Sequence, residues 1–171
     1  MQGIISPNTI LEKNIVTAAP GHADINTWGP QNQVQQVGID LRLWKVYELR
    51  GPLQLMLDET KSVRPSLQEA PLHDNETFFL TSGNQYFIEF MEDVEIPADM
   101  AALVVHRSTI NRFAGTVLSG WYDPGFKSRG GCGAIFRPLK DLKIQRGYRV
   151  AQIVFFSAES ANLYNGQYQA K

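Results

Sequence analysis

The sequence is poor in the residues on which most metal and thiol chemistry depends. Among 171 residues there is one cysteine, Cys132, and there are three histidines, His22, His73 and His106, set far apart. A lone cysteine cannot close an internal disulfide, and it excludes any centre that needs two thiolates. Zinc catalysis draws on three or four clustered His, Cys or carboxylate ligands, and the chain offers no such cluster. Charge is scarce as well: 16 Lys and Arg against 17 Asp and Glu give a net charge of -1 and only 19% charged residues. No dense basic run exists to neutralise successive phosphates of a nucleic-acid polymer, so polymeric nucleic acid is not an expected partner. No stretch approaches the roughly 18 apolar residues that span a bilayer, and the N-terminus lacks the basic-then-apolar order of a signal peptide. The expectation is a cytoplasmic protein without a membrane partner. A Gly-rich phosphate loop ending in Lys-Ser/Thr is missing, and Leu118-Ser119-Gly120 lacks the flanking glycine of a nucleophile elbow. Ordinary kinase or ATPase folds and serine hydrolase chemistry are thereby set aside.

What is present is a chain able to bury a core, with 43% apolar residues and a length that favours one domain over residues 1–171. Fourteen glycines and nine prolines interrupt short apolar runs at the rhythm of strands and turns. Residues 78–80, 86–90, 101–105 and 149–156 are rich in β-branched and aromatic side chains and read as strands. Turn chemistry separates them at residues 81–84, 96–99 and 145–147. Two short stretches read as helical: one that opens at Ser6-Pro7, with Ser as cap and Pro at the first helical position, and residues 108–113. Residues 58–76 mix charge and proline and read as a surface excursion. Beyond Ser157 the chain turns polar and loses core periodicity, so residues 158–171 read as a mobile tail.

The chemistry concentrates in the middle of the chain. His106-Arg107-Ser108-Thr109-Ile110-Asn111-Arg112 follows an apolar strand and precedes Gly120-Trp121-Tyr122-Asp123-Pro124-Gly125-Phe126. If Ser108 starts a helical turn, Arg112 lies four residues on, and a hydroxyl and a guanidinium converge on one face as a phosphate site requires. On the local pattern alone the simpler reading is that Ser108 caps the turn while Arg107 and Arg112 are solvated. Asp123-Pro124-Gly125 is likewise an ordinary β-turn in which the carboxylate bonds nearby backbone.

Taken together, the motifs resemble the trimeric dUTPase and dCTP deaminase superfamily, on its deaminase-like branch. Ile5-Ser6-Pro7-Asn8-Thr9-Ile10 resembles the opening of that branch, and residues 37–43, Val-Gly-Ile-Asp-Leu-Arg-Leu, resemble its first motif. Arg107-Ser108 with Arg112 resembles the second motif, residues 120–126 the third, Arg149-Val150-Ala151-Gln152-Ile153 the fourth, and residues 164–169 the tail motif. The resemblance implies an all-β distorted barrel or jelly roll, a homotrimer with sites between subunits, and a deoxyuridine or deoxycytidine triphosphate as substrate. It also implies magnesium bound through the triphosphate, a hard cation that keeps its waters and asks few protein ligands. By the same resemblance Arg107, Ser108 and Arg112 contact phosphates, and Gln152 and Trp121 surround the nucleoside. Tyr164, Tyr168 and Gln169 belong to a tail that closes over the substrate, with Lys171 a possible further phosphate contact.

Two reactions occur in this superfamily. Hydrolysis between the α and β phosphates needs a base for a water, and Asp123 is the candidate. Deamination at C4 of cytosine needs a proton-shuttling glutamate, which in the resembling family lies ten residues after the matching Asp; here that offset falls on Gly133. No Asp or Glu occurs between Asp123 and Asp141, so small alignment shifts restore nothing. The expectation is therefore dUTP diphosphatase activity. The alternatives are a dCTP deaminase or bifunctional enzyme that recruits another acid, and a catalytically silent nucleotide-binding trimer.

Overall fold

A computed structural model describes residues 3–118, 120–130, 132–160, 162–166 and 168–169. Its described strands are β1 (Val16–Ala18), β2 (Ile39–Arg50), β3 (Ser66–Glu69), β4 (Thr77–Leu80), β5 (Tyr86–Phe90), β6 (Glu92–Val94), β7 (Met100–His106), β8 (Gly115–Val117), β9 (Gly120–Tyr122), β10 (Gly133–Pro138), β11 (Leu142–Gln145) and β12 (Arg149–Ser157). The main sheet runs β8-β10-β5-β2-β12-β7-β9, with β3 added to β2, while β1 pairs with β6 and β4 with β11. The sheet curls strongly into a half barrel, and the class is all-β, as the strand-and-turn rhythm of the sequence leads one to expect. Among the described residues no helix is long and apolar enough to cross a membrane.

Side-chain alternation explains why these segments pair as they do. In β5 Tyr86, Ile88 and Phe90 face inward and are buried, whereas Phe87 and Glu89 are half-buried on the outer face. β12 lies between β2 and β7 and pairs with β7 from Ala151 opposite His106 to Ser157 opposite Met100. Phe78, Phe90, Phe136 and Phe155 are fully buried together with Ile39, Leu41 and Ile153, in one continuous cluster. Each such side chain contributes about 1.5–3 kcal/mol on burial.

One expectation needs correction, and a second gains detail. Helix α1 (Pro7–Glu12) does begin with Pro at its first position, but the Ser6 hydroxyl makes no capping bond; its backbone carbonyl accepts from Ile10 instead. The excursion at residues 58–76 is exposed for most of its length, yet it is not structureless. It holds a 3-10 turn, Glu59–Lys61, and strand β3, which pairs with β2 from Tyr47 opposite Glu69 to Arg50 opposite Ser66.

A buried carboxylate ties the N-terminal loop to the sheet. Glu92 is inaccessible to solvent, and its oxygens accept from the Arg42 Nε at 2.6 Å, the Arg42 backbone N–H at 2.8 Å and the Gln33 amide at 2.8 Å. Arg42 reaches on to the carbonyl of Ala23, and Gln33 to the carbonyl of Asp40. Burial pushes the Glu92 carboxyl above the ordinary glutamate range, against the pull of the Arg42 guanidinium. Every lone pair in use is satisfied, so the cost of removing this group is that of orphaning its partners. Glu92→Ala is expected to lower stability by about 3–5 kcal/mol in chemical denaturation. A loss under about 1 kcal/mol would show that the loop is held by other contacts.

Candidate active site

Because β12 runs between β2 and β7, Gln152 stands opposite Asp40 on one side and Val105 on the other. Three motif residues distant in sequence thus meet at one end of the sheet. Asp40, 1% exposed, receives Arg107 Nε at 2.7 Å, Arg149 Nη1 at 3.2 Å and the Gln152 amide at 3.3 Å. Arg107 also donates to the carbonyl of Arg149 at 3.0 Å, and Arg149 to the carbonyls of Pro30 and Asn32. Burial holds the Asp40 carboxyl above the ordinary aspartate range, against the pull of the two guanidiniums and the Gln152 amide. One carboxylate against two guanidiniums leaves the cluster net positive, which favours an anion beside it.

Asp40, Arg107, Ser108 and Gln152 line a cavity of about 430 Å³ together with Gln35, Gln36, His106 and Asn111. The Nδ1 atom of His106 is buried there without a hydrogen-bond partner. Arg112 does not join it. Residues 110–114, Ile-Asn-Arg-Phe-Ala, form a π turn, and Arg112 is exposed outside the cavity.

Asp123 stands in a different place. Residues 123–126 form a tight turn in which the Phe126 N–H donates to the Asp123 carbonyl at 3.0 Å, with Pro124 second and Gly125 third at φ +85. That is the arrangement of a type II turn, whose third position demands a positive φ. Bonds from Gly125 N–H to the Ile96 carbonyl and from Ile96 N–H to the Phe126 carbonyl anchor the turn. Among the described residues nothing bonds the Asp123 carboxylate, which is exposed, so it is not consumed by the local turn bonding that its sequence allows.

Asp123 lines a second cavity, of about 530 Å³, with Phe87, Trp121, Tyr122, Phe126, Cys132, Gly133, Tyr164 and Tyr168. Among the described residues Asp123 is the one carboxylate on its wall. The ring of Phe126 packs tilted against that of Tyr122 at 5.0 Å and edge-on against that of Tyr164 at 5.4 Å between centroids. Burial pushes the Cys132 thiol up to about 12, and its Sγ lies on the Glu92 carbonyl, so it is an inert filler. Gly133 has no room for a side chain. A Cβ there would lie 2.8 Å from Phe87 Cε2 and closer still to Phe87 Cζ and the Ile88 carbonyl oxygen.

The tail packs against the Asp123 turn of its own chain. Tyr164 N–H donates to the Pro124 carbonyl at 2.8 Å, and Gln169 accepts from the Lys127 N–H and donates to the Gly125 carbonyl, both at 3.0 Å. Gln167 and Lys171 lie outside the described residues. The two cavities have no lining residue in common, so Arg107, Ser108 and Gln152 face one space and Asp123, Trp121, Tyr164 and Tyr168 another. Sequence reasoning assigned no role to Asp40, His106, Asn111, Gln35, Gln36 or Phe87. Of these only Asp40 carries a local signal, a lone carboxylate inside the apolar run at residues 39–43.

The chain belongs to the dCTP deaminase-like family, whose profile matches residues 9–158. It is 34% identical over 138 residues to a probable deoxyuridine 5'-triphosphate nucleotidohydrolase of Methanopyrus kandleri, covering 81% of this chain and 88% of that one. A deoxyuridine 5'-triphosphate nucleotidohydrolase of Methanocaldococcus jannaschii is 27% identical over 82% of this chain and 90% of its own. A dUMP-forming dCTP deaminase of Dictyoglomus turgidum is 30% identical, covering 77% and 70% respectively. Among solved structures the fold resembles 2'-deoxycytidine 5'-triphosphate deaminase from Agrobacterium tumefaciens, with a TM-score of 0.64 and 20% identity over 92% of this chain. This chain spans 49% of that one. A Staphylococcus bacteriophage 80alpha dUTPase gives a TM-score of 0.51 at 15% identity, covering 89% of both.

The docking of the tail is directly measurable. Gln169→Ala removes the acceptor of the Lys127 N–H, and hydrogen exchange at that amide should quicken roughly fivefold, the effect of about 1 kcal/mol. An unchanged rate would show that the tail is not held on the turn in solution.

Proposed function

We propose that this chain is a dUTP diphosphatase, which hydrolyses dUTP to dUMP and pyrophosphate in a homotrimer whose sites lie between copies. The observation that carries the reading is the wall of the second cavity, where Asp123 is the sole carboxylate and Gly133 cannot hold a side chain. The site thus has one base for a water and no acid for the pyrimidine ring. The archaeal relatives named deoxyuridine triphosphate nucleotidohydrolases support the same reading.

In the proposed reaction Asp123 accepts a proton from a water as its oxygen attacks the α-phosphorus. The bond from that phosphorus to the oxygen bridging to the β-phosphate then breaks, and pyrophosphate leaves. Arg107, held by Asp40, and Ser108 receive phosphate oxygens from the neighbouring copy's side of the site, with Gln152 beside them; Arg112, exposed nearby, reaches the phosphates as the copies assemble. Trp121 borders the nucleoside, while Tyr164, Tyr168 and Gln169 keep bulk water from the reacting position. A magnesium ion bound through the triphosphate would supply charge neutralisation on its oxygens. The donor set fits a cation that arrives with the phosphates: no group of three or more His, Cys, Asp or Glu stands ready for one among the described residues, and Asp40 is already engaged. A nucleotide-pool enzyme of this kind belongs in the cytoplasm.

The second reading, a dCTP deaminase or bifunctional enzyme, has the Dictyoglomus turgidum relative in its favour. One assay separates the readings. With magnesium and either dUTP or dCTP, the expected products are pyrophosphate from dUTP and no ammonia from dCTP. Ammonia would establish the deaminase, and nucleotide binding without either product would establish a silent trimer. Asp123→Asn preserves shape while removing the base, so kcat for dUTP should fall about 10²–10⁴-fold with nucleotide binding retained. Unchanged turnover would remove Asp123 from the mechanism.

A further inference from the structure

Resting on the assignment of the second cavity to the nucleoside, we infer that Phe87 is the residue that recognises the pyrimidine, by stacking on it, and that it takes the space a reactive side chain would need. β5 and β10 pair with Ile135 opposite Phe87 and Gly133 opposite Glu89. Phe87 therefore meets Gly133 on the diagonal, and its ring tip covers the Gly133 backbone where a Cβ would stand. The Ile88 carbonyl approaches the same point, so the position accepts only glycine whatever the ring does. From the other side the Tyr47 ring backs that of Phe87, with centroids 6.0 Å apart and planes tilted by 40°.

The two polar groups nearest Gly133, the Glu89 carboxylate and the Gly133 carbonyl, are both engaged. Glu89 is the cross-strand partner of Gly133, but its carboxylate accepts from the Tyr47 hydroxyl at 2.8 Å, toward β2 and away from β10. It is absent from the cavity lining. The Gly133 carbonyl is occupied by the Tyr122 hydroxyl at 3.1 Å. At this point of the wall stands the Phe87 ring, which has no proton to give or take. Such a surface binds a flat base through its π-face and reads shape in place of exocyclic groups. Phe87 is therefore a binding residue that leaves the ring chemically untouched, in keeping with a reaction confined to the α-phosphate.

The test is calorimetric binding, on the full chain with magnesium, of α,β-imido-dUTP, dCTP and inorganic tripolyphosphate. Phe87→Ala should weaken α,β-imido-dUTP and dCTP alike, roughly tenfold, with tripolyphosphate changed by less than about twofold. Phe87→Leu, which fills most of the volume without a ring, should lose affinity as the alanine variant does, and Phe87→Tyr should keep it. Wild-type affinity for α,β-imido-dUTP in both the alanine and leucine variants would overturn the inference. So would an equal loss for nucleotide and tripolyphosphate alongside a lowered melting temperature, which marks a structural role. A wild-type protein that binds tripolyphosphate as tightly as nucleotide would overturn the nucleoside assignment itself, and the role of Phe87 with it.

Discussion

At the functional end of the sheet a buried carboxylate holds three strands together. Asp40 on β2 receives Arg107 from the end of β7 and Arg149 and Gln152 from β12, so each of the first, second and fourth motifs contributes to one polar cluster. Burying that carboxylate alone would cost several kcal/mol, and two guanidiniums with an amide offset the cost. The same pairing fixes Arg107 in place beside Ser108 before any anion arrives. Preorganisation of this sort lowers the entropy lost when a multiply charged ligand is ordered. Glu92 does for the N-terminal loop what Asp40 does for the strand ends, and through the Gln33 bond to the Asp40 carbonyl the two clusters touch.

The second cavity holds one charged group in aromatic surroundings. The cavity around Asp123 is walled by aromatic rings, an inert thiol and a glycine backbone, and its chemistry is limited to that one acid. In such surroundings a base can act on water at a phosphate, while a pyrimidine has no partner for the several proton transfers that deamination requires. Family membership alone does not decide between the two reactions, since relatives named for both occur. On the proposed reading, the packing of Phe87 over Gly133 is what favours hydrolysis in this chain.

Much of this architecture was legible in the residues. The strands at 78–80, 86–90, 101–105 and 149–156 were readable because a pleated surface buried on one side leaves alternation in the sequence, and Pro7 marked the start of α1 because its φ suits the first turn. Strand β3 was hidden, since its four residues are all exposed and owe their pairing to β2 rather than to burial. The π turn was hidden because nothing in Ile110–Ala114 announces it. At the site, Gly133 declared a missing acid. The steric reason for it depends on a ring 46 positions earlier in the chain, and only the register of β5 and β10 brings the two together. Asp40 stood in view within its motif, but which arginines it pairs with is a tertiary choice.

The two cavities meet no common residue within one chain, and the account requires them to be completed by different copies. Mixing two separately inactive variants, Arg107→Ala and Asp123→Asn, after unfolding and joint refolding tests this most directly. Random assembly leaves about a quarter of sites with an intact Arg107 from one copy and an intact Asp123 from another, so about a quarter of the wild-type dUTP hydrolysis should return. A mixture as inactive as its components would contradict a site shared between subunits.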